Sequence, residues 1–187
     1  MLAVASRPGS DSDVVAAVLN GEHRAFSDLV RRHDERLRGL AFKMLGDRHR
    51  MEDAMQESYV RAYRSLASFR SDSELSTWLY RIVYNTCIDE LRRSQKRPVP
   101  IDTAHHSWDR PTGTPGPERT VGAADSAMRA LALLPEDQRA TLLLVDGEGF
   151  DNVTAAEILG VPPGTVASRL SRARATVRRT LDAEEDR

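Results

Sequence analysis

The stretch Asp151-Asn-Val-Thr-Ala-Ala-Glu-Ile-Leu-Gly-Val-Pro-Pro-Gly-Thr-Val-Ala-Ser-Arg-Leu170 decides how the chain folds at its C-terminal end. It reads as two helices joined by a tight corner. Two N-caps are on offer for the first helix. Thr154 with Glu157 matches a capping box, but it leaves only about five residues before Gly160. Asp151 gives a two-turn helix and is the expected cap. Ala156 is small where two helices must cross closely. Gly160 is the residue type that takes up left-handed backbone at a helix end. Pro162 and Pro163 suit a new N-terminus, where a missing N–H removes no hydrogen bond. Val166, Leu170, Ala173 and Val177 then form an apolar stripe, with Thr165, Ser168, Arg169 and Arg172 on other faces. A helix presented in this way can lay its first turns in a DNA major groove. Arginine there bonds guanine edges or phosphates, and Ser and Thr reach either.

Charge supports that reading once it is divided by region. The 187 residues carry 27 Lys+Arg against 28 Asp+Glu, a net −1 that on its face argues against a nucleic-acid partner. The sum is a cancellation. Residues 163–179 hold Arg169, Arg172, Arg174, Arg178 and Arg179 with no acid, whereas 136–157 hold Arg139 against six acids. The tail adds Asp182, Glu184, Glu185 and Asp186, and residues 24–97 carry a basic surplus. Surface fields follow local charge, so a basic helix meets phosphates even in an acidic protein.

Upstream, apolar residues recur at helical spacing three times: Phe26 to Met44, Met51 to Leu66, and Leu75, Trp78, Leu79, Ile82, Val83, Thr86 and Leu91. No stretch alternates apolar and polar residues, so no sheet is expected. A shorter helix is expected to begin at Asp11 or Ser12, either of which can cap it. The pattern stops from about Ser94 to Ala124, where Pro98, Pro100, Pro111, Pro115 and Pro117 fall beside Gly113 and Gly116. Proline removes donors and blocks helix, so this segment reads as a tether. The fold expected is all-α: two small helical domains, 12–95 and 124–182, joined by a Pro/Gly-rich linker over 96–123. No apolar run approaches the ~20 residues that span a bilayer. The N-terminus has no signal core. One cysteine, Cys87, makes neither a disulfide nor a thiolate metal cluster. A cytoplasmic protein without membrane insertion is expected.

Two further stretches carry a resemblance. The first is Glu52-Asp-Ala-Met-Gln-Glu-Ser-Tyr-Val-Arg-Ala-Tyr63, with Phe69-Arg70, Ser76-Thr-Trp-Leu-Tyr-Arg-Ile82, Asn85 and Asp89-Glu-Leu-Arg-Arg93. It resembles the second conserved region of bacterial extracytoplasmic-function (ECF) sigma factors of the sigma-70 family. The second is Leu134-Pro-Glu-Asp-Gln-Arg139, Asp146 to Gly149, Glu157-Ile-Leu-Gly-Val-Pro and Gly164-Thr-Val to Ser168-Arg-Leu, which resembles their fourth region. The resemblance implies a region 2 helical bundle and a region 4 helix-turn-helix. It implies a dissociable RNA polymerase subunit that recognises promoters and helps to melt them, with no catalytic site, cofactor or metal of its own.

Residue by residue, the resemblance makes Asp53, Gln56, Glu57 and Tyr59 the helix that docks on a coiled coil of the polymerase's largest subunit. It assigns −10 DNA to Phe69, Arg70, Ser71, Asp72, Trp78, Tyr80, Arg81, Tyr84, Arg92 and Arg93. It assigns the −35 helix-turn-helix to Thr154, Ala156, Glu157, Gly160, Pro163, Thr165, Val166, Ser168, Arg169 and Arg172. Trp78 also lies on the apolar stripe, so core and base-stacking roles both stand. Opened bases offer stacking surfaces worth ~1–3 kcal/mol each, comparable to the unstacking of a step, so capture can offset melting. The chain departs from the family at Ala167, where most members have Lys; one lost phosphate contact lowers the salt slope by about one unit. Ala155 also stands where a larger aliphatic residue is usual. The implied partners are core RNA polymerase (the coiled coil and the flap), double- and single-stranded promoter DNA, and a separate anti-sigma factor. The free chain is expected to be a monomer.

The family's two promoter elements lie two helical turns apart, ~70 Å at ~34–36 Å per turn. A ~30-residue coil spans ~30 Å on average. The tether therefore needs something else to hold it open, and the free chain is expected to recognise promoters poorly. An ordinary helix-turn-helix repressor or activator, with a helical ligand-binding or dimerising N-terminal half, is the alternative; it predicts a dimer on palindromic sites. An enzyme has little support: there is no Gly-rich phosphate loop and no nucleophile elbow. His105-His106 shows no metal-ligand spacing.

Overall fold

The computed structural model describes residues 10–69, 74–96 and 119–185. Arg70, Ser71 and Asp72, with most of the expected tether and its His105-His106 pair, lie outside the described residues. Among the described residues all regular structure is helical, as the absence of alternating patterns predicts. The first module comprises α1 (Asp11–Leu19), α2 (Arg24–Leu45), α3 (Arg48–Ser65) and α4 (Leu75–Lys96). The second comprises α5 (Arg119–Ala132), α6 (Glu136–Leu142), α7 (Asn152–Leu159) and α8 (Pro163–Glu185). Helix α5 begins inside the segment assigned to the tether, because no proline follows Pro117 to prevent it.

Helix α1 starts where the sequence places it, but its cap is Ser10. The Ser10 hydroxyl accepts from the Asp13 N–H at 3.2 Å and the Asp13 carboxylate accepts from the Ser10 N–H at 2.9 Å, a reciprocal box. Asp11 is thereby free to tie α1 to α2, accepting from Arg32 at 2.9 Å and meeting His33 at 3.1 Å. The turn from α2 to α3 is compact. Gly46 sits at φ +68°, returning its N–H to the Phe42 carbonyl, and the Asp47 carboxylate caps α3 by accepting from the Arg50 N–H at 2.7 Å. The apolar stripes of α2, α3 and α4 then converge: Leu29, Leu37, Leu40, Met44, Met55, Leu66 and Val83 are buried. Each such side chain removed from water is worth ~1.5–3 kcal/mol.

In the second module Ala130, Leu134, Ala140, Leu144, Ile158, Val166, Leu170 and Ala173 form the core. Helix α6 runs on into a π-helical turn over Leu143–Gly147, closed by the Glu148 N–H on the Leu143 carbonyl at 2.9 Å. The sequence pattern predicts ordinary helix there. One extra residue per turn, followed by Gly149 at φ +81°, swings Glu148 and Phe150 toward the first module.

The modules pack directly on each other, α4 against α7 and α2 against α6. Arg139 joins them. Its guanidinium donates to the carbonyls of Leu131 (2.9 Å), Ala132 (3.2 Å) and Leu134 (3.1 Å) at the end of α5 and its turn. It also donates to the Met44 carbonyl of α2 at 2.7 Å. Burial pulls its pKa below the ordinary arginine value, while the four carbonyls hold the charged form.

Candidate polymerase and DNA interface

Helix α3 divides its residues cleanly. Asp53, Gln56 and Glu57 are exposed, because Ala54, Met55 and Ser58 take the inward positions. Tyr59 turns inward: it is half-buried and its hydroxyl donates to Asp34 of α2 at 2.5 Å. Arg38 clasps the same carboxylate at 2.8 Å and Glu52 at 2.5 Å. Burial first, and then Asp34, raises the Tyr59 phenol above its ordinary value. Tyr59 thus braces α3 on α2 instead of standing on the acidic face. The exposed stripe instead continues with Val60 and Tyr63, which are 38% and 42% exposed. Their spacing from Gln56, four and seven residues on, puts them on the same helix face, a signal that apolar residues there obscure because it resembles a core stripe. Tyr63 is held by Phe26 edge-on at 5.2 Å and by a 2.7 Å hydrogen bond to His23.

On α4, Arg81, Asn85 and Arg92 share one exposed stripe, at i, i+4 and i+11, with Arg93 beside it. Trp78 is half-buried and its ring centroid lies 5.4 Å from that of Phe69, so these two aromatic residues stand together at the first turn of α4. Tyr84 is half-buried, and burial raises its phenol pKa. Tyr80 is the residue whose position departs most from a DNA-contacting face. It is 2% exposed, donates to Glu148 of the second module at 2.5 Å, and meets Phe150 edge-to-face at 4.9 Å. In this arrangement it is closed off from DNA. The cause is docking between the modules, for which Tyr80's position off the α4 apolar stripe gave no sign. Cys87 lies in the α4 core, and burial pushes its thiol up to about 12.

The helix-turn-helix forms as the sequence predicts. Asp151 caps α7, accepting from the Thr154 N–H at 2.7 Å, and Thr154 lies within the helix and does not cap it. Gly160 takes φ +66°, and α8 starts at Pro163. Ala156 and Val166 are buried where α7 and α8 pack, and so shape the motif. Ala155, small for its place, is fully buried too. Of the five arginines, two pair with carboxylates, and Arg179 donates to the Thr176 hydroxyl at 3.2 Å. Arg169 is half-buried and pairs with Asp137 of α6 at 3.0 Å, and Arg174 grips Asp146 through two bonds of 2.9 and 2.6 Å. Ser168, Arg172 and Arg179 remain on one exposed stripe with Ala175. Pro163, Gly164 and Ala167 are exposed at its leading end, and Thr165 is half-buried beside them. Glu157 faces α4 across a groove of about 540 Å³ that Arg81, Asn85 and Val153 also line. Among the described residues no cluster of His, Cys, Asp or Glu has metal-binding geometry. No described helix is long and apolar enough to cross a membrane.

Comparison with known proteins agrees with this geometry. Sigma-70 region 2 matches residues 29–97, and Sigma-70, region 4 matches residues 124–177. The chain is 39% identical over 173 residues to the ECF RNA polymerase sigma factor SigM of Mycobacterium tuberculosis (strain H37Rv), covering 92% of this chain and 85% of that protein. It is 35% identical to the ECF RNA polymerase sigma-E factor of Haemophilus influenzae, covering 88% and 92%. Among solved structures, CnrH in complex with the cytosolic domain of CnrY aligns with a TM-score of 0.68 at 25% identity over 91% of this chain and 96% of that one. The sigma factor RpoE in complex with the anti-sigma factor NepR from Bartonella quintana aligns at 0.69 and 26% over 84% and 96%. A region 2 helical bundle followed by a region 4 helix-turn-helix places the chain in the ECF family of sigma-70-type RNA polymerase sigma factors, the alternative sigma factors that serve transcription initiation.

Proposed function

We propose that residues 12–95 act as the polymerase-docking and −10 module, residues 124–182 as the −35 module, and 96–123 as the tether between them. The observation that carries this division is the exposed stripe Ser168, Arg172 and Arg179 of α8, set behind a capped helix and a left-handed Gly160. That stripe is free to enter a major groove, and its cations are placed to release counterions from phosphates. Asp53, Gln56 and Glu57 of α3, with Val60 and Tyr63 beyond them, form the face offered to a basic coiled coil of the polymerase's largest subunit. Phe69 and Trp78 with Arg81 and Arg92 of α4 serve the melted −10 strand. The flap contacts region 4, the reaction runs in the cytoplasm, and the chain itself performs no chemistry.

The RpoE relative bound to an anti-sigma factor supports a separate protein inhibitor for this chain also. Footprinting with and without core polymerase tests the assignment. Protection of two elements at fixed spacing is expected only with core enzyme. Tight, specific protection by the free chain overturns it.

A further inference from the structure

The carboxylates on the exposed face of α3 are not equally available. No ion pair among the described residues takes up Asp53. Glu57, one turn on, is already held from within: its Oε1 accepts from Arg61 Nε at 2.8 Å. Arg61 lies four residues further along α3, the order in which an acid and a base on one helix attract best. The same guanidinium reaches the next helix, where Nη1 donates to Asp89 Oδ2 of α4 at 2.9 Å. One cation thus stands between two carboxylates, and the two, Asp89 foremost, hold it charged above the ordinary arginine value. All three side chains are open to solvent, Arg61 at 38%, Glu57 at 48% and Asp89 at 41%.

Pairs this exposed contribute little, because water screens them and each long side chain loses rotamer freedom in forming them. A basic group arriving on α3 can therefore take Glu57 at small cost. Arg61 is not stranded when that happens, since Asp89 keeps it paired. We propose that Arg61 is a resident counter-ion for Glu57, which a basic residue of core polymerase displaces onto Asp89 as α3 docks, so that Arg61 limits how tightly the chain is held. This inference rests on the reading of α3 as the docking face. Arg61 also adds positive charge to a face that meets a basic partner, and a like charge at the rim of an interface slows association. Both effects lower affinity for core enzyme. The rival role for the same contacts is a brace between α3 and α4. It predicts the opposite sign, because removing a brace loosens α3 and weakens docking.

Binding of the full chain to immobilised core polymerase, followed by biolayer interferometry at two salt concentrations, separates the two. Arg61→Gln is expected to tighten Kd about twofold to fivefold, the range of an exposed ion pair, mostly through faster association at low salt. Asp89→Asn is expected to weaken binding about twofold, because Arg61 then has Glu57 alone. In a Glu57→Gln chain, where no carboxylate is contested, the gain from Arg61→Gln is expected to fall by half or more. An Arg61→Gln chain of normal circular dichroism that binds core enzyme no more tightly than wild type overturns the exchange. So does a gain more than half as large in the Glu57→Gln chain. Should Arg61→Gln fail to fold, Asp89→Asn decides alone, and unchanged or tighter binding by that variant overturns the exchange. The docking assignment is read separately. Glu57→Gln by itself should bind core polymerase less tightly than wild type; binding at wild-type strength overturns the reading of α3, whatever Arg61 does.

Discussion

At the scale of single residues, the side chains that carry most of the arrangement are those that satisfy groups the helices leave unpaired. Arg139 is the clearest. Its fork covers three carbonyls at the end of α5 and one on α2, a geometry that a lysine's point charge cannot copy. Arg139→Ala is expected to destabilise the chain by about 1.5–3 kcal/mol in urea unfolding, with Arg139→Lys recovering the smaller part. The pair Asp146–Arg174 gives a pH-dependent contribution. Hydrogen bonds from Arg174 lower the Asp146 pKa, so the pair's stabilisation is complete above the unfolded carboxylate value of ~3.9. It is lost as pH falls through the depressed folded value. The urea midpoints of wild type and Arg174→Gln should therefore differ at pH 7 and converge as pH falls below ~3.9 and through the depressed folded value; a gap that widens on acidification contradicts this. Individual roles were only partly legible in the sequence. Helical spacing separates Asp53 from Ala54 but cannot tell that Tyr59 finds Asp34, since that partner lies 25 residues away on another helix. It cannot tell either that Arg169 is occupied by Asp137 while Arg172 is not buried.

Elements were far more legible, because their signals are local. Asp151, Gly160 and Pro163 each stand at a place where backbone geometry admits few residue types, and all three sit as their chemistry requires. Gly160→Ala should destabilise the chain by ~1–2 kcal/mol, since a Cβ is strained at φ +66° even though nothing stands within 4 Å of it. Gly160→Asn should recover much of that loss, and differential scanning calorimetry reads both. For α8, Arg172→Ala should weaken DNA binding by the holoenzyme and reduce the slope of log affinity against log salt by about one unit if it contacts phosphate. If it reads a base instead, the slope holds and promoter preference relaxes at one position. Two element-level features escaped the sequence. The π-helical turn at Leu143–Gly147 has no composition of its own, and Ser10 takes the cap ahead of Asp11 and Ser12 because Asp13 returns its hydrogen bond.

At the scale of the molecule, two helical modules and the order in which they occur could be read from apolar periodicity and from the proline-rich break. Their mutual packing could not. An interface made by Glu148, Tyr80, Phe150, Arg36 and Arg139 adds no hydrophobic stripe and no charge block to the chain. The net charge misleads for a related reason: it sums an acidic stretch from 136 to 157, an acidic tail and an arginine-rich stretch from 163 to 179, which cancel in the total. The central claim is that this chain gives core polymerase its choice of promoter through two separately held elements. It is tested most directly by transcription from a random promoter-fragment library, with start sites sequenced in the presence and absence of the chain. The account predicts initiation that depends on both chain and core enzyme, upstream of which two short motifs recur at one fixed spacing. Core enzyme whose start sites do not change when the chain is added, while the chain alone selects palindromic sites as a dimer, contradicts it.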